Sequence, residues 1–246
     1  MQDDIIKNYI IKKQKNFPLW DIAFLTGNED FIIAGGAFVT TPPNDFDVYP
    51  VNYRKFDRQF IKTGIPSFKT KQCEVLYETH NALTVKVGKS IIQFCDYAPW
   101  GYNDDGHGRL VSLVDSFDFT HIQVGVLYKA QTNDTGGFAT PAVHDVYFTD
   151  GFVESKMSGA TYFVGSQYPL GSLIRLRKYE KRGLIALKDY RTNVLDILNS
   201  IVSRGYKSYE DFKDQLAAVD LQLLDGDESD SAYRLFLTLK DRGLVG

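Results

Sequence analysis

The feature that most constrains this chain is a pair of neighbouring segments: Phe31-Ile32-Ile33-Ala34-Gly35-Gly36 and, after the turn-forming Thr41-Pro42-Pro43-Asn44, Asp45-Phe46-Asp47-Val48-Tyr49. Four apolar residues that end at paired glycines predict a short buried strand entering a turn or a helix. The strict alternation of acid and apolar residue from Asp45 onward predicts a second, half-buried strand. Successive side chains of a strand point to opposite faces, so Asp45 and Asp47 share one face while Phe46 and Val48 enter the core. Two carboxylates so placed stand about 7 Å apart at Cβ and can converge on a hard divalent cation, Mg²⁺ or Mn²⁺. Gly35 and Gly36 leave the main chain open to close approach by phosphate oxygens.

Composition narrows the setting. With 246 residues, 43% of them hydrophobic and 24% charged, the chain can bury a sizeable core as one large domain or two modest ones. A net charge of −3 provides no global attraction for nucleic acid, so any polyanion contact has to be local. Two cysteines, Cys73 and Cys95, make neither a disulfide framework nor a zinc ligand set, and reduced, buried thiols in a cytoplasmic setting are expected. Met1-Gln2-Asp3-Asp4 carries acids where a secretory leader carries bases, and no run approaches the roughly 20 apolar residues of a membrane span, so no membrane association is expected.

Along the chain, Ile5, Ile6, Tyr9 and Ile10 recur at helical spacing, which predicts a helix over 4–13 that stops before Pro18 and a short helix over 19–26. Strands are predicted at 74–77, 82–87 and 91–95, the last two joined by the turn Val87-Gly88-Lys89-Ser90, to give a small mixed sheet. The stretch 112–128 reads as helical or mixed, and the Thr, Gly and Asn content of 131–142 reads as a surface loop. Beyond Gly165, helical periodicity predicts helices over 170–182, 192–203, 209–217 and 231–239. The fold class expected is α/β (α+β), a mixed sheet in front and helices behind.

Several other residues are candidates for chemistry. Asp96, just past the predicted strand 91–95, is the candidate third carboxylate, or else an ordinary acid at a strand end. Arg175, Lys178 and Arg182 fall at i, i+3 and i+7 and line one helical stripe, with Arg177 and Lys181 on the next; they suit phosphates, or an ordinary solvated face. Asp118 is read as structural, orienting the segment after it. His80, His107, His121 and His144 sit on different predicted elements without ligand spacing, which argues against zinc. Tyr49 shares the acidic face and is a candidate for stacking on a base.

In order and spacing, Ile33-Ala34-Gly35-Gly36-Ala37 and Asp45-Phe46-Asp47-Val48-Tyr49 resemble the defining motif of nucleotidyltransferases of the DNA polymerase beta superfamily. The similarity is to the head shared by CCA-adding enzymes and bacterial poly(A) polymerases. Phe117-Asp118-Phe119-Thr120 resembles their Arg-Asp-Phe-Thr segment, and the run from Leu173 to Tyr179 with Arg182-Gly183 resembles the basic helix that opens their neck. Three departures stand out: Val39-Thr40 replaces the Arg-Asp after the glycines, Phe117 replaces a basic residue, and Pro169 and Ser172 occupy the base-reading positions.

The resemblance implies a polymerase-beta-like head over 1–165 and a helical neck over 166–246. It implies transfer of a nucleoside monophosphate from a nucleoside triphosphate to a hydroxyl acceptor, such as an RNA 3′ end, with pyrophosphate released. In it Asp45 and Asp47 hold metal, Asp96 assists them, and Gly35, Gly36, Arg175 and Lys178 contact the nucleotide. Alternatives are a non-catalytic nucleotide- or RNA-binding module on the same fold and a toxin-like transferase acting on a protein or tRNA.

Overall fold

Strand β1 (Phe31–Ala34) is buried along its whole length and pairs antiparallel on both sides, with β2 (Phe46–Pro50) and with β6 (Val124–Lys129). In this computed structural model, residues 2–40, 43, 45–51, 56–65, 73–79, 82–96, 106–131, 140–185, 187–206, 208, 211 and 241 are described. The helix expected at 231–239, that expected at 209–217 apart from Asp211, the central part (132–139) of the loop expected over 131–142, and His80 lie outside them; Ala142 at the end of that loop opens a strand.

The architecture is mixed α/β. A seven-stranded sheet has the order β3-β4-β5-β2-β1-β6-β7, with β3 at Cys73–Glu78, β4 at Ala82–Val87, β5 at Ser90–Cys95 and β7 at Ala142–Phe148. All its pairings are antiparallel except that of β2 with β5. The sheet is thus larger than the sequence suggests, because β6 and β7 join its far side.

The chain divides into two compact units, one of residues 1–116 with 121–153 and one of residues 117–120 with 154–246. In the first unit, period-two alternation sends Phe46, Val48, Ile92, Phe94, Leu83 and Val85 into one core with Phe31 and Ile33. Helix α1 (Gln2–Lys13) adds Ile6 and Ile10, α2 (Leu19–Leu25) adds Ile22 and Leu25, and α3 (Arg58–Gly64) adds Ile61. These helices therefore cover the face opposite Asp47. Asp57 caps α3, accepting the Phe60 N–H at 2.9 Å.

Helix α4 (Gly106–Asp115) packs against β6 and β7. Its close seat depends on Gly125, where a Cβ would stand 2.9 Å from both Leu110 Cδ1 and Val114 Cγ2 and 3.3 Å from Ala34 Cβ. Gly125 pairs with Ala34 and Ala34 with Asp47, so α4 lies on the same face as the acids, two strands away.

The second unit takes the end of α5 (Asp150–Ser158), then α6 (Pro169–Lys181) and α7 (Leu187–Arg204). Pro169 at the start of α6 suits a position whose N–H has no helical partner. Phe119, fully buried, meets the Phe163 and Tyr179 rings edge-on. The segment 117–120 is bound to its neighbour by Thr120 N to Tyr162 O and Val164 N to Asp118 O, each 3.0 Å. Buried Asn193 of α7 ties in the same stretch, donating to Thr161 O and accepting from Phe163 N. No helix among the described residues is long and apolar enough to cross a membrane.

Gly125→Ala is expected to lift α4 from β6 and to cost about 1–3 kcal/mol, since extra carbon in a filled core strains its neighbours. A urea titration measures this as a lower midpoint at constant slope. An unchanged midpoint would show that Leu110 and Val114 give way freely.

Candidate functional site

The glycine turn and the two acids meet at one end of the sheet because of register. Ala34, the last residue of β1, pairs with Asp47 of β2, so the chain leaving β1 runs beside the entry to β2. Gly35 takes a positive φ of 75°, a region that side chains rarely enter, and opens a short 3₁₀ turn over Gly35–Phe38. Ala37 and Phe38 bury their side chains, Phe38 against the Phe17 ring, and anchor that turn in the core. Among the described residues nothing lies within 4 Å of the place a Cβ on Gly36 would take. The turn is therefore rigid below and open above.

Asp45 precedes β2 by one residue, Asp47 lies within it, and both are half-buried. Phe46 and Val48 between and beyond them belong to the core, as the alternation predicts. On the neighbouring parallel strand the partner of Asp47 is Gln93, also half-buried. Gln93 in turn pairs with Thr84 of β4. Paired residues project to the same side, so Thr84, Gln93 and Asp47 form one row across three strands about 4.8 Å apart.

One strand position further along β5 from Phe94, Cys95 lies on this same face. Burial raises its thiol pKa well above the usual value, and the negative charge of Asp47 raises it further; a Tyr49 hydrogen bond opposes this, and Asp96 and Asp45 add to the rise. Tyr49 itself is buried beside Cys95, which leaves its ring packed rather than presented for stacking.

Asp96 goes elsewhere. It follows β5 next to the end of β2 rather than its start, and its buried Oδ2 accepts Arg58 Nε at 2.9 Å and Nη2 at 2.5 Å. Arg58 comes from α3, on the core side of the sheet, and also donates to Glu78 Oε1 at 3.1 Å and to Thr79 O at 2.8 Å. Burial works against the Arg58 cation, yet its bonds to Asp96 and Glu78 outweigh that and raise its pKa. Lys62 completes the cluster at 2.6 Å from Glu78. Asp96 is not brought together with Asp45 and Asp47, and among the described residues no three of His, Cys, Asp and Glu are grouped to hold a metal.

No protein-family model and no curated protein sequence matches the chain. Among solved structures, a CCA-adding enzyme in an apo form is similar to it at 11% identity and a TM-score of 0.44, over 96% of this chain and 55% of that one. A Thermotoga maritima CCA-adding enzyme complexed with tRNA is similar at 10% identity and a TM-score of 0.45, over 95% of this chain and 53% of that one. The chain spans about half the length of these enzymes.

In the second unit, Arg175 is engaged by Asp118. Asp118 is buried, and its Oδ2 accepts Arg175 Nε at 2.9 Å, Arg175 Nη2 at 2.7 Å and Ser172 Oγ at 2.6 Å. The structural role expected of Asp118 is therefore played through α6 rather than through its own next turn. Lys178 is half-buried on the same helix, and Arg177, Lys181 and Arg182 are exposed. His121 is buried, while His107 and Asp145 form a surface pair.

Gln93, Thr84 and Arg58 are the residues the sequence did not single out. The alternation Ile92, Phe94 against Gln93, Cys95 already marks Gln93 as facing away from the core. Which strand it stands beside depends on a parallel pairing that local pattern does not encode.

Arg58→Ala is expected to leave the Asp96 carboxylate buried without its cation and to lower stability by about 3 kcal/mol, somewhat less if water reaches the vacated space. Chemical denaturation of Arg58→Ala and of the Arg58→Ala/Asp96→Ala double variant measures it, the double variant recovering part of the loss. Cys95, held protonated, should react with iodoacetamide at pH 8 about tenfold or more slowly than an unstructured cysteine peptide, scored by peptide mass spectrometry.

Proposed function

We propose that the chain is a metal-dependent nucleotidyltransferase that moves a nucleoside monophosphate from a nucleoside triphosphate to a hydroxyl acceptor. The observation that carries this reading is the Ala34–Asp47 register, which sets the open Gly35–Gly36 turn beside two carboxylates on one face. In the proposed reaction the acceptor oxygen bonds to the α-phosphorus, the α–β bridging bond breaks and pyrophosphate leaves; the hydroxyl proton passes to solvent.

The donor set suits Mg²⁺ or Mn²⁺. Two half-buried carboxylates, with no third acid grouped beside them among the described residues, fit a cation that keeps several waters and takes its remaining oxygens from substrate phosphates. When bound, such an ion stabilises negative charge on the attacking and leaving oxygens. Asp45 and Asp47 hold it, the buried neighbours Phe46 and Val48 keep the two acids in place, and Gly36 admits the triphosphate close to the main chain.

Within this reading the head is 1–165 and the neck 166–246, and the acceptor implied by the sequence resemblance is an RNA 3′ end. Arg175 acts on Asp118, so Lys178 with Arg177, Lys181 and Arg182 supply the cations of the neck. A second reading, a nucleotide- or RNA-binding module without turnover, is favoured by the same Arg175–Asp118 pair and by Val39-Thr40 in place of a cationic contact.

Incubation with each labelled nucleoside triphosphate, Mg²⁺ or Mn²⁺ and total RNA separates them. The enzyme reading expects label transfer that falls about a hundredfold or more in Asp45→Asn and in Asp47→Asn, the order of loss when a charge-stabilising group is removed. Nucleotide binding with no transfer in the wild type establishes the module instead, and label confined to one protein or tRNA establishes a dedicated modifier.

A further inference from the structure

The sheet carries more polar function on its acidic face than the two aspartates. Thr84 is fully buried, and its Oγ1 finds no hydrogen-bond partner among the described residues. A buried hydroxyl without a partner is unfavourable and uncommon, which makes it a sign of a contact formed in another state of the protein. Thr84 pairs with Gln93, and Gln93 pairs with Asp47. Gln93 is half-buried, neutral and long enough to reach either neighbour in the row.

An amide has two ends of opposite character. Its carbonyl oxygen is a hard, uncharged ligand of the kind divalent cations accept alongside carboxylates, and its NH₂ group donates two hydrogen bonds. With Asp47 on one side and the Thr84 hydroxyl on the other, the chemistry of the row orders these ends: oxygen toward the cation, NH₂ toward Thr84 Oγ1.

We propose that Gln93 is a neutral ligand of a divalent-cation site with Asp45 and Asp47, and that Thr84 is its positioning residue. The inference rests on the nucleotidyltransferase reading. It adds that the protein contributes two charges and one amide, so that the site carries less negative charge than three carboxylates would and relies more on the triphosphate to draw the cation in. Asp96, held by Arg58, plays no part in it.

The test is Mn²⁺ binding to the whole chain, followed by the loss of the free-ion electron paramagnetic resonance signal, with a circular-dichroism melt for every variant. Gln93→Leu and Thr84→Val should each weaken Mn²⁺ binding about tenfold, the scale on which ligand-orienting groups act on metal affinity. Thr84→Ser should bind as the wild type does. Gln93→Glu, which puts a third charge beside Asp47, should tighten binding about tenfold or more. Thr84→Val should melt no lower than the wild type, since it removes a hydroxyl that makes no bond among the described residues.

If Gln93→Leu and Thr84→Val bind Mn²⁺ as the wild type does while Asp45→Asn and Asp47→Asn lose it, the roles of Gln93 and Thr84 are refuted and the reading beneath them stands. If the wild type shows no saturable binding, or if the aspartate variants leave it unchanged, the metal reading itself fails.

Discussion

The pairing of Ala34 with Asp47 is the constraint on which the rest of the first unit depends. It is a statement about packing before it is one about chemistry. Phe46 and Val48 are buried on one side of β2, and each contributes about 1.5–3 kcal/mol of apolar burial. A slip of β2 by one residue would bring them to the acidic face and drive Asp45 and Asp47 into the core. Uncompensated carboxylates there would cost several kcal/mol apiece. The two penalties add, so the alternation admits one register, and that register determines where the glycine turn emerges. The placement of the acids is thus a by-product of forces that act on phenylalanine and valine.

The same period of two accounts for Asp96. It is the acid that directly follows β5, the strand paired in parallel with β2. It shares parity with Ile92 and Phe94, which face the core, and stands beside the end of β2 rather than its beginning. Arg58 on α3 meets it there. A buried carboxylate needs a cation more than a surface cluster does, and Arg58 supplies two donors to one oxygen. The residue that does flank Asp47 is a glutamine, which charge-based reading of a sequence passes over because it carries none.

Much of this was legible in the residues. Helices α1 and α2 and strands β1 to β5 follow directly from periodicity and glycine punctuation, and α6 and α7 follow from apolar residues three and four apart. Strand β6 lies in the stretch whose pattern reads as helical or mixed, because Val124-Gly125-Val126-Leu127-Tyr128 is buried on both sides and has no alternation to show. Strand β7 mixes His144 and Asp145 into an edge position, while α3 buries Ile61 alone and α5 buries Phe152 and Ser155, so neither helix has an apolar repeat to show. The parallel β2–β5 contact, on which the candidate site turns, joins residues more than forty positions apart and leaves no local trace. Likewise the stripe of cations on α6 is visible in the sequence, but the partner that takes Arg175 from it lies 57 residues away.

What unites the two units is how each treats an isolated carboxylate. Asp118 and Asp96 are buried, and each has acquired an arginine with two nitrogens on one oxygen. Asp45 and Asp47 are half-buried and lie close enough to Cys95 for their charge to help keep its thiol protonated. Negative potential on that face is therefore a property of the folded chain, and it is felt by a neighbour that has no need of it. The fold gives Asp96 and Asp118 a guanidinium each, and sets Asp45 and Asp47 beside an open glycine turn instead.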